Sequence, residues 1–444
     1  MKPMLIHNAR VFCGVDEEVI DDGTVWVTNG FVRYAGPSVD FRHDGTDVEI
    51  YDAKGKFVMP GMTESHVHLS YNNAHPQQLN DQPLPLAMLD AVENARVLLA
   101  SGFTSAISFG SAQGLDVPLR DAINEGRVCG PRLAASDRDL GSTGSNADGT
   151  FGGDDSKKII ADGPWAIRKA VRSLAKKRCD IVKIFLDGEA LNEYAPPGVL
   201  TYSDEEVEAA VSEAHIRGMR VVCHSRSAAA VKQAVRFGVD IIGHANYLDE
   251  EAVAMLEAER HRIFVGPGIA WEISLLDKGA QLGLPRDAME QRGYQREVDE
   301  TIASVKRLRE SNVRVLVGGD YGLNITPHGT NAKDLEYFVD LFGMSDVEAL
   351  LCATRDGGAA ANTEGMVGTL EDGKYADLVI VDGDPSVDVR VLQDHDRIVG
   401  VMKAGVMHCG LMQSNPYVSP ENTINKEAKE RGRDDSDCRF VQIC

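Results

Sequence analysis

The chain has no CxxC pair; its eight cysteines are scattered along 444 residues. That spacing offers neither the paired thiolates of a structural zinc site nor the disulfide framework of a small secreted domain. Nor is there an apolar run approaching the roughly 18 uninterrupted residues of a membrane helix. The opening residues, MKPMLIHNARVF, lack the long apolar stretch and small-residue cleavage site of a secretory signal. Positive charge is scarce: 46 lysines and arginines face 68 acidic residues, a net charge of −22. Phosphate binding needs a basic surface, so a nucleic-acid partner is excluded, as is adsorption to an anionic membrane. The expectation is a reduced, cytoplasmic protein whose partner is a small molecule.

What is present is ordinary for a chain with a large core, 43% hydrophobic and 26% charged. The length suits one barrel of about 250 residues or more with a smaller satellite. Residues 24–28 and 31–35 flank Asn29-Gly30, the pair favoured in two-residue hairpin turns. Residues 376–381 and 397–402 also read as strands, with a tight turn at Ala404-Gly405 before Val406-Met407-His408. Two β-rich ends around a long middle predict one small domain to which both termini contribute.

The middle alternates strand and helix. Ser203 and Glu206 form a capping box for a helix that stops at Gly218. Residues 219–223 form a strand that runs into His224, 228–237 a helix, and 239–242 a strand leading to His244. Parallel βα repeats put all strand C-termini on one face, where barrel enzymes keep their chemistry. Further strands are expected at 104–109, 180–185 and 313–317. Beyond Gly410 the chain turns polar, and its composition predicts a solvated tail.

In Pro60-Gly61-Met62-Thr63-Glu64-Ser65-His66-Val67-His68, the histidines stand two apart, on one side of a strand. They can offer two imidazoles to one cation. His224 and His244 each end a strand, Asp320 follows the apolar run 313–317, and Lys183 lies in a fourth strand. A lysine among Ile181, Val182, Ile184 and Phe185 either snorkels or is chemically changed, because a buried unpaired ammonium is costly. Reaction with CO₂ would turn its amine into an anionic carbamate able to bridge two cations. Nitrogen and oxygen donors without thiolate favour zinc, with manganese, iron or cobalt as alternatives.

PGMTESHVH, VKIF, VVCHS, IIGHAN and VGGDYG occur in this order, each at a strand end, and EDGKYADLVIVDGDP follows. In these motifs the chain resembles the amidohydrolase superfamily, in its binuclear type with a carboxylated lysine. The stretches GLDVPLRDAINEGRVCGPRL, ADGPWAIRKAVR and TPHGTNAKDLEYFV resemble its imidazolonepropionase-like and prolidase-like branch.

The resemblance implies a (β/α)₈ TIM barrel over residues 60–365 and a small β-sandwich from 1–59 and 366–412, with 413–444 as the tail. It implies a buried metal at His66 and His68, an outer one at His224 and His244, carboxylated Lys183 bridging them, and Asp320 on the first. A hydroxide held between the metals would attack an amide carbonyl while Asp320 moves the proton to the leaving nitrogen. Homo-oligomers are frequent in the family.

Three positions depart from the pattern. Asn146 stands where a histidine is usual, Gly243 where a glutamate precedes the third histidine, and Glu64 where an aspartate is usual. Candidate substrate contacts are Asn146, Arg226, Tyr247 and His328. Arg226 suits a substrate carboxylate or an ion pair between loops; Tyr247 is a donor or a wall, and His328 a contact or a loop brace. The predicted activity is hydrolysis of a small amide, such as a dipeptide or an N-acyl amino acid. The alternatives are a cyclic-amide or lactone hydrolase, a deaminase, and a non-catalytic binding barrel.

Overall fold

The computed structural model describes residues 2–42, 47–79, 81–149, 159–361 and 365–410, so the predicted tail lies outside the described residues. The N-terminal segment forms β1 (Met4–Phe12), β2 (Val19–Thr28), β3 (Phe31–Pro37), β4 (Glu49–Asp52) and β5 (Phe57–Pro60). Asn29 and Gly30 both have positive φ, 53° and 87°, as the tight turn between β2 and β3 requires.

The middle provides β6 (Met62–Val67), β7 (Phe103–Ser108), β8 (Arg132–Ala134), β9 (Leu140–Gly141), β10 (Ile159–Ile160) and β11 (Ile181–Phe185). It continues with β12 (Arg220–Ser227), β13 (Ile241–Tyr247), β14 (Phe264–Gly266) and β15 (Arg314–Val315). The C-terminal segment adds β16 (Leu378–Val381), β17 (Ile398–Lys403) and β18 (Val406–Gly410).

Both ends of the chain join one sheet, in the order β18-β17-β16-β5-β1-β2-β3, with β4 on β1. Its strands are continuous by hydrogen bonding; they do not separate into two sheets. The cause lies in β1, which pairs with β4 over Met4–His7 and with β5 over Arg10–Val11. Asn8, at φ 53°, bends the strand between these two stretches. Ile6, Val25, Val32, Val58, Leu378 and Ile380 give this sheet an apolar cluster of its own.

Between the terminal segments lie parallel strands in two sheets, β6-β7-β8 and β10-β9-β11-β12-β13-β14-β15. Backbone bonds link these sheets at two places. The Ala135 carbonyl beyond β8 accepts from Asp180 and Ile181 at 2.8 and 3.2 Å, and Ser65 of β6 donates to Val317 at 3.0 Å. Helices alternate with the strands, including Leu84–Ala100, Pro164–Lys176, Asp204–His215, Ala228–Phe237, Glu250–Ala258 and Tyr294–Glu310. The Ser203/Glu206 capping box is present, and Gly238 ends its helix at φ 85°. No helix among the described residues is long and apolar enough to cross a membrane.

Ile107, Ile181, Val222, Ile241, Phe264 and Leu316 pack into an apolar plug. Because side chains alternate along a strand, Lys183 and His224 follow Ile181 and Val222 on the same side, one step above the plug. The plug therefore forms the floor of the site.

One ion pair fastens the terminal sheet to the parallel strands. Asp377, whose side chain is 2% exposed, accepts from Arg132 Nε and Nη2 of β8 at 2.9 and 3.2 Å. It also accepts from the Ala404 amide at 2.6 Å. Asp377→Ala strips the arginine of its counter-ion inside a protein contact, where such losses cost several kcal/mol. Since Arg132 keeps 23% exposure, a loss of about 2–3 kcal/mol in urea unfolding is expected.

Candidate metal centre

The six residues singled out from sequence come to one end of the parallel strands. Asp320 Oδ1 lies 3.0 Å from His68 Nε2 and 3.5 Å from His66 Nε2. The His66 ring centroid is 5.5 Å from that of His68 and 5.3 Å from that of His244, and His224 stands 4.3 Å from His244. One donor atom each from His66, His244 and Asp320 fall within 4.8 Å of one another. The Lys183 Nζ lies 4.7 and 4.9 Å from the ring centroids of Phe109 and Phe185.

Strand geometry explains part of this convergence and backbone strain the rest. Gly243 occupies the inward position of β13, and a Cβ there would lie 2.8 Å from the Cys223 carbonyl and 3.0 Å from Phe109. His244 would next point away, but at φ 75° it turns its ring back toward His66 and His224. Asp320 has φ 61°, again left-handed without being glycine. Such conformations cost about 1–3 kcal/mol each and persist where surrounding structure enforces them. β12 and β13 run three residues past their histidines, further than the sequence pattern marks, because Ser225–Ser227 keep pairing with His244–Tyr247.

The electrostatics suit a cation. Burial holds the His66, His224 and His244 imidazoles well below their usual pKa, so they are neutral near pH 7. Neutral imidazole is the form that coordinates metals. His66 Nδ1 and both ring nitrogens of His244 are buried without a hydrogen-bond partner. Burial tends to raise the Asp320 pKa but is outweighed by His66, His68 and Lys183, which keep the carboxylate ionised. His66 can supply that pull only as a cation, whereas burial favours its neutral form. A bound cation would hold the Asp320 carboxylate ionised in the same way. Neutral rings with orphaned nitrogens around an ionised carboxylate form a donor set that fits divalent metals.

The predicted substrate contacts are dispersed. Asn146 opens the short helix Asn146–Gly149, and its Oδ1 accepts from Asn192 at 2.9 Å. Arg226 is fully buried and engaged by protein: Nη1 donates to Glu272 at 2.7 Å and to Glu297, and Nη2 reaches Glu189 at 3.4 Å. Its contacts are those of a buried ion pair, not of a fork turned toward substrate. Tyr247 donates to Glu297 Oε2 at 3.3 Å. His328 is buried, its Nε2 3.2 Å from the His68 carbonyl. Glu64 is buried, accepting from the His66 amide and from Asn331.

His328 carries a pH signature. Burial lowers its pKa to about 4, whereas an unfolded histidine titrates near 6.5. Between those values the unfolded chain binds the extra proton. The stability is thus complete above pH 6.5 and lost as pH falls toward 4, by up to ~3 kcal/mol. His328→Gln should flatten that decline by about one proton's worth in urea titrations at pH 7 and 5.

Sequence reasoning missed Glu189, Glu272 and Glu297 around Arg226, and Asp139, whose pKa burial raises to about 6. Asp139 occupies space beside Gly110, where a Cβ would lie 1.9 Å from its Oδ1. No spacing in the chain relates these acids to the histidines, and only the three-dimensional fold brings them close.

Comparison with known proteins agrees with this picture. The chain is 23% identical over 427 residues to ochratoxinase from Aspergillus niger, covering 89% of this chain and 84% of that one. It is 26% identical over 419 residues to imidazolonepropionase from Sphingopyxis alaskensis, covering 85% and 92%. Among solved structures, a prolidase complexed with n-methylphosphonate-l-proline superposes with a TM-score of 0.82 at 27% identity, covering 92% of this chain and all of that one. The model of the amidohydrolase family matches residues 57–407, and the chain belongs to that family.

Proposed function

We propose that the protein hydrolyses the amide C–N bond of a small molecule, a dipeptide, an N-acyl amino acid or a related amide, at a pair of divalent metal ions. The observation that carries this reading is the convergence of four histidines, Lys183 and Asp320 around buried, unpartnered ring nitrogens. Membership of the amidohydrolase family and likeness to a prolidase and to ochratoxinase support an amide as the bond broken. The eight strands β6, β7, β8 and β11–β15 are taken as a closed (β/α)₈ barrel over 60–365, and the terminal sheet as a folded-over sandwich over 1–59 and 366–412.

His66 and His68 would hold one ion, His224 and His244 the other, with a Lys183 carbamate between them and Asp320 on the first. Zinc suits the nitrogen and oxygen donors, with manganese, iron or cobalt also accommodated. When bound, the pair supplies an acidified water and a Lewis acid for the carbonyl. The chain's own part is protonic and positional. Ionised Asp320 takes the proton of the attacking water and returns it to the leaving nitrogen, base then acid. Burial lowers the Lys183 pKa, against the pull of Asp139 and Asp320, and so favours the uncharged amine that reacts with CO₂. Asn146, Tyr247 and His328 remain the proposed substrate contacts. The protein is proposed to act in the cytoplasm as a homo-oligomer, with neither nucleic acid nor membrane as partner.

A hydrolysis panel of dipeptides, N-acyl amino acids, aryl amides, lactams and lactones, read by mass spectrometry, tests this reading. Zinc- or manganese-loaded enzyme in bicarbonate should cleave one linear amide class. Cleavage confined to lactams or lactones would shift the function to a cyclic-amide or lactone hydrolase. Ammonia release alone would mark a deaminase, and no turnover with two metals bound would leave a binding protein.

A further inference from the structure

His244 is 1% exposed, yet neither ring nitrogen has a hydrogen-bond partner. A buried imidazole left in that state forfeits the hydrogen bonds that water gave it. Two observations fix which way its Nδ1 edge faces. A Cβ on Gly268 would lie 2.9 Å from Nδ1, so that edge abuts the start of the helix Ile269–Lys278. In the first turn of that helix, Glu272 brings Oε1 to 3.9 Å from Nδ1. The opposite nitrogen is therefore free for the cluster with His66 and Asp320.

Glu272 is itself locked in place. It is fully buried, and its Oε1 accepts from Arg226 Nη1 at 2.7 Å and Asn246 Nδ2 at 3.3 Å. Asn246 is anchored in turn by Thr301 Oγ1 at 2.7 Å. The second carboxylate oxygen, Oε2, has no partner. The unpartnered Nδ1 edge of His244 thus lies beside the Glu272 carboxylate, 3.9 Å from Oε1 and within about 1 Å of hydrogen-bonding reach, and that carboxylate keeps acceptor capacity on Oε2.

We infer that Glu272 is a positioning residue for His244, and that Arg226 serves to hold Glu272. With a metal bound, the Nδ1–H of His244 would close on the Glu272 carboxylate, 3.9 Å away in this structure, fixing the tautomer and leaving Nε2 for the ion it would hold with His224. Burial raises the Glu272 pKa while Arg226 and a bound cation favour its ionised form, and an anionic acceptor behind a ligating imidazole makes it a stronger donor to metal. Arg226 thereby has a structural task in the centre, and the specificity contact expected from its position falls to other residues. This inference rests on the metal reading proposed above.

The test is metal binding to the full-length protein, with Glu272→Gln and His244→Ala compared with wild type. Glu272→Gln keeps an oxygen for Arg226 and Asn246 but removes the anionic acceptor. Zinc titration with a competing chelator should show two ions on wild type. One of the two should weaken by ~10–100-fold in Glu272→Gln, the other staying unchanged. His244→Ala should lose the same ion, and adding Glu272→Gln to it should weaken binding no further. Two ions at wild-type affinity in Glu272→Gln would overturn the inference and leave the metal reading intact. No zinc on wild type would sink both. Should Glu272→Gln fail to fold, the long-range ¹⁵N–¹H spectrum of zinc-loaded wild type decides, with His244→Ala identifying the signal. A proton on Nδ1 of His244 is expected, and one on Nε2 overturns the assignment.

Discussion

Asp320→Asn should still bind substrate and lose turnover by ~10⁴-fold, the upper range for removing a positioned general acid–base group. The substitution is nearly isosteric, so the oxygen 3.0 Å from His68 Nε2 can remain. What disappears is a charge that His66, His68 and Lys183 hold in place against the cost of burial. A neutral amide cannot take a proton from the attacking water, nor give one to a departing nitrogen. The loss should therefore fall on kcat with KM nearly unchanged, measured by steady-state kinetics on the amide that the panel identifies. Metal content, determined in parallel, separates a lost ligand from a lost base. Wild-type kcat in this variant would remove Asp320 from proton transfer.

Lys183→Ala should release at least one ion and lower activity by ~10³-fold, since metal polarisation supplies several kcal/mol to such reactions. Lys183 is 3% exposed, and among the described residues its Nζ has no hydrogen bond or ion pair, only the faces of Phe109 and Phe185. An ammonium so placed would be costly, whereas an anionic carbamate between two cations would not. Truncation leaves room for a small molecule where the proposed carbamate would stand. Formate, acetate or propionate should then restore part of the activity, and bicarbonate should not. Full metal content and full rate without rescue would show that the lysine bridges nothing.

Legibility in the sequence followed the range of the interactions. The β2–β3 turn, the Ser203/Glu206 cap and the helix Ala228–Phe237 depend on neighbours a few residues apart, and each was readable. His66 and His68 were readable as a pair because a strand's period of two is local. His224 and His244 gained meaning from the repeated strand–helix unit around them. By contrast, Arg226 offered two readings, and only the arrival of Glu272 and Glu297, 46 and 71 residues away, gave it protein partners. The left-handed turn at His244 was equally hidden, since its neighbours IIGHAN suggest an uninterrupted strand. The bend of β1 at Asn8, which makes the terminal strands one continuous sheet, also left no mark in the hydrophobic pattern. Packing between distant segments decides these features, and pattern within a segment does not carry them.

The order of strands in the terminal sheet has a consequence for biosynthesis. β5 lies between β1 and β16, which are more than 360 residues apart in the chain. At ribosomal speeds of about 5–20 residues per second, β5 waits some tens of seconds for its second neighbour. During that interval its edge, Phe57-Val58-Met59, is an open apolar ladder able to pair with another nascent chain. The parallel strands between can fold as they emerge, but the sheet that clasps them is completed only after translation has passed Val381. The nascent chain is thus vulnerable at the waiting edge of β5, and chaperone demand during synthesis should concentrate there.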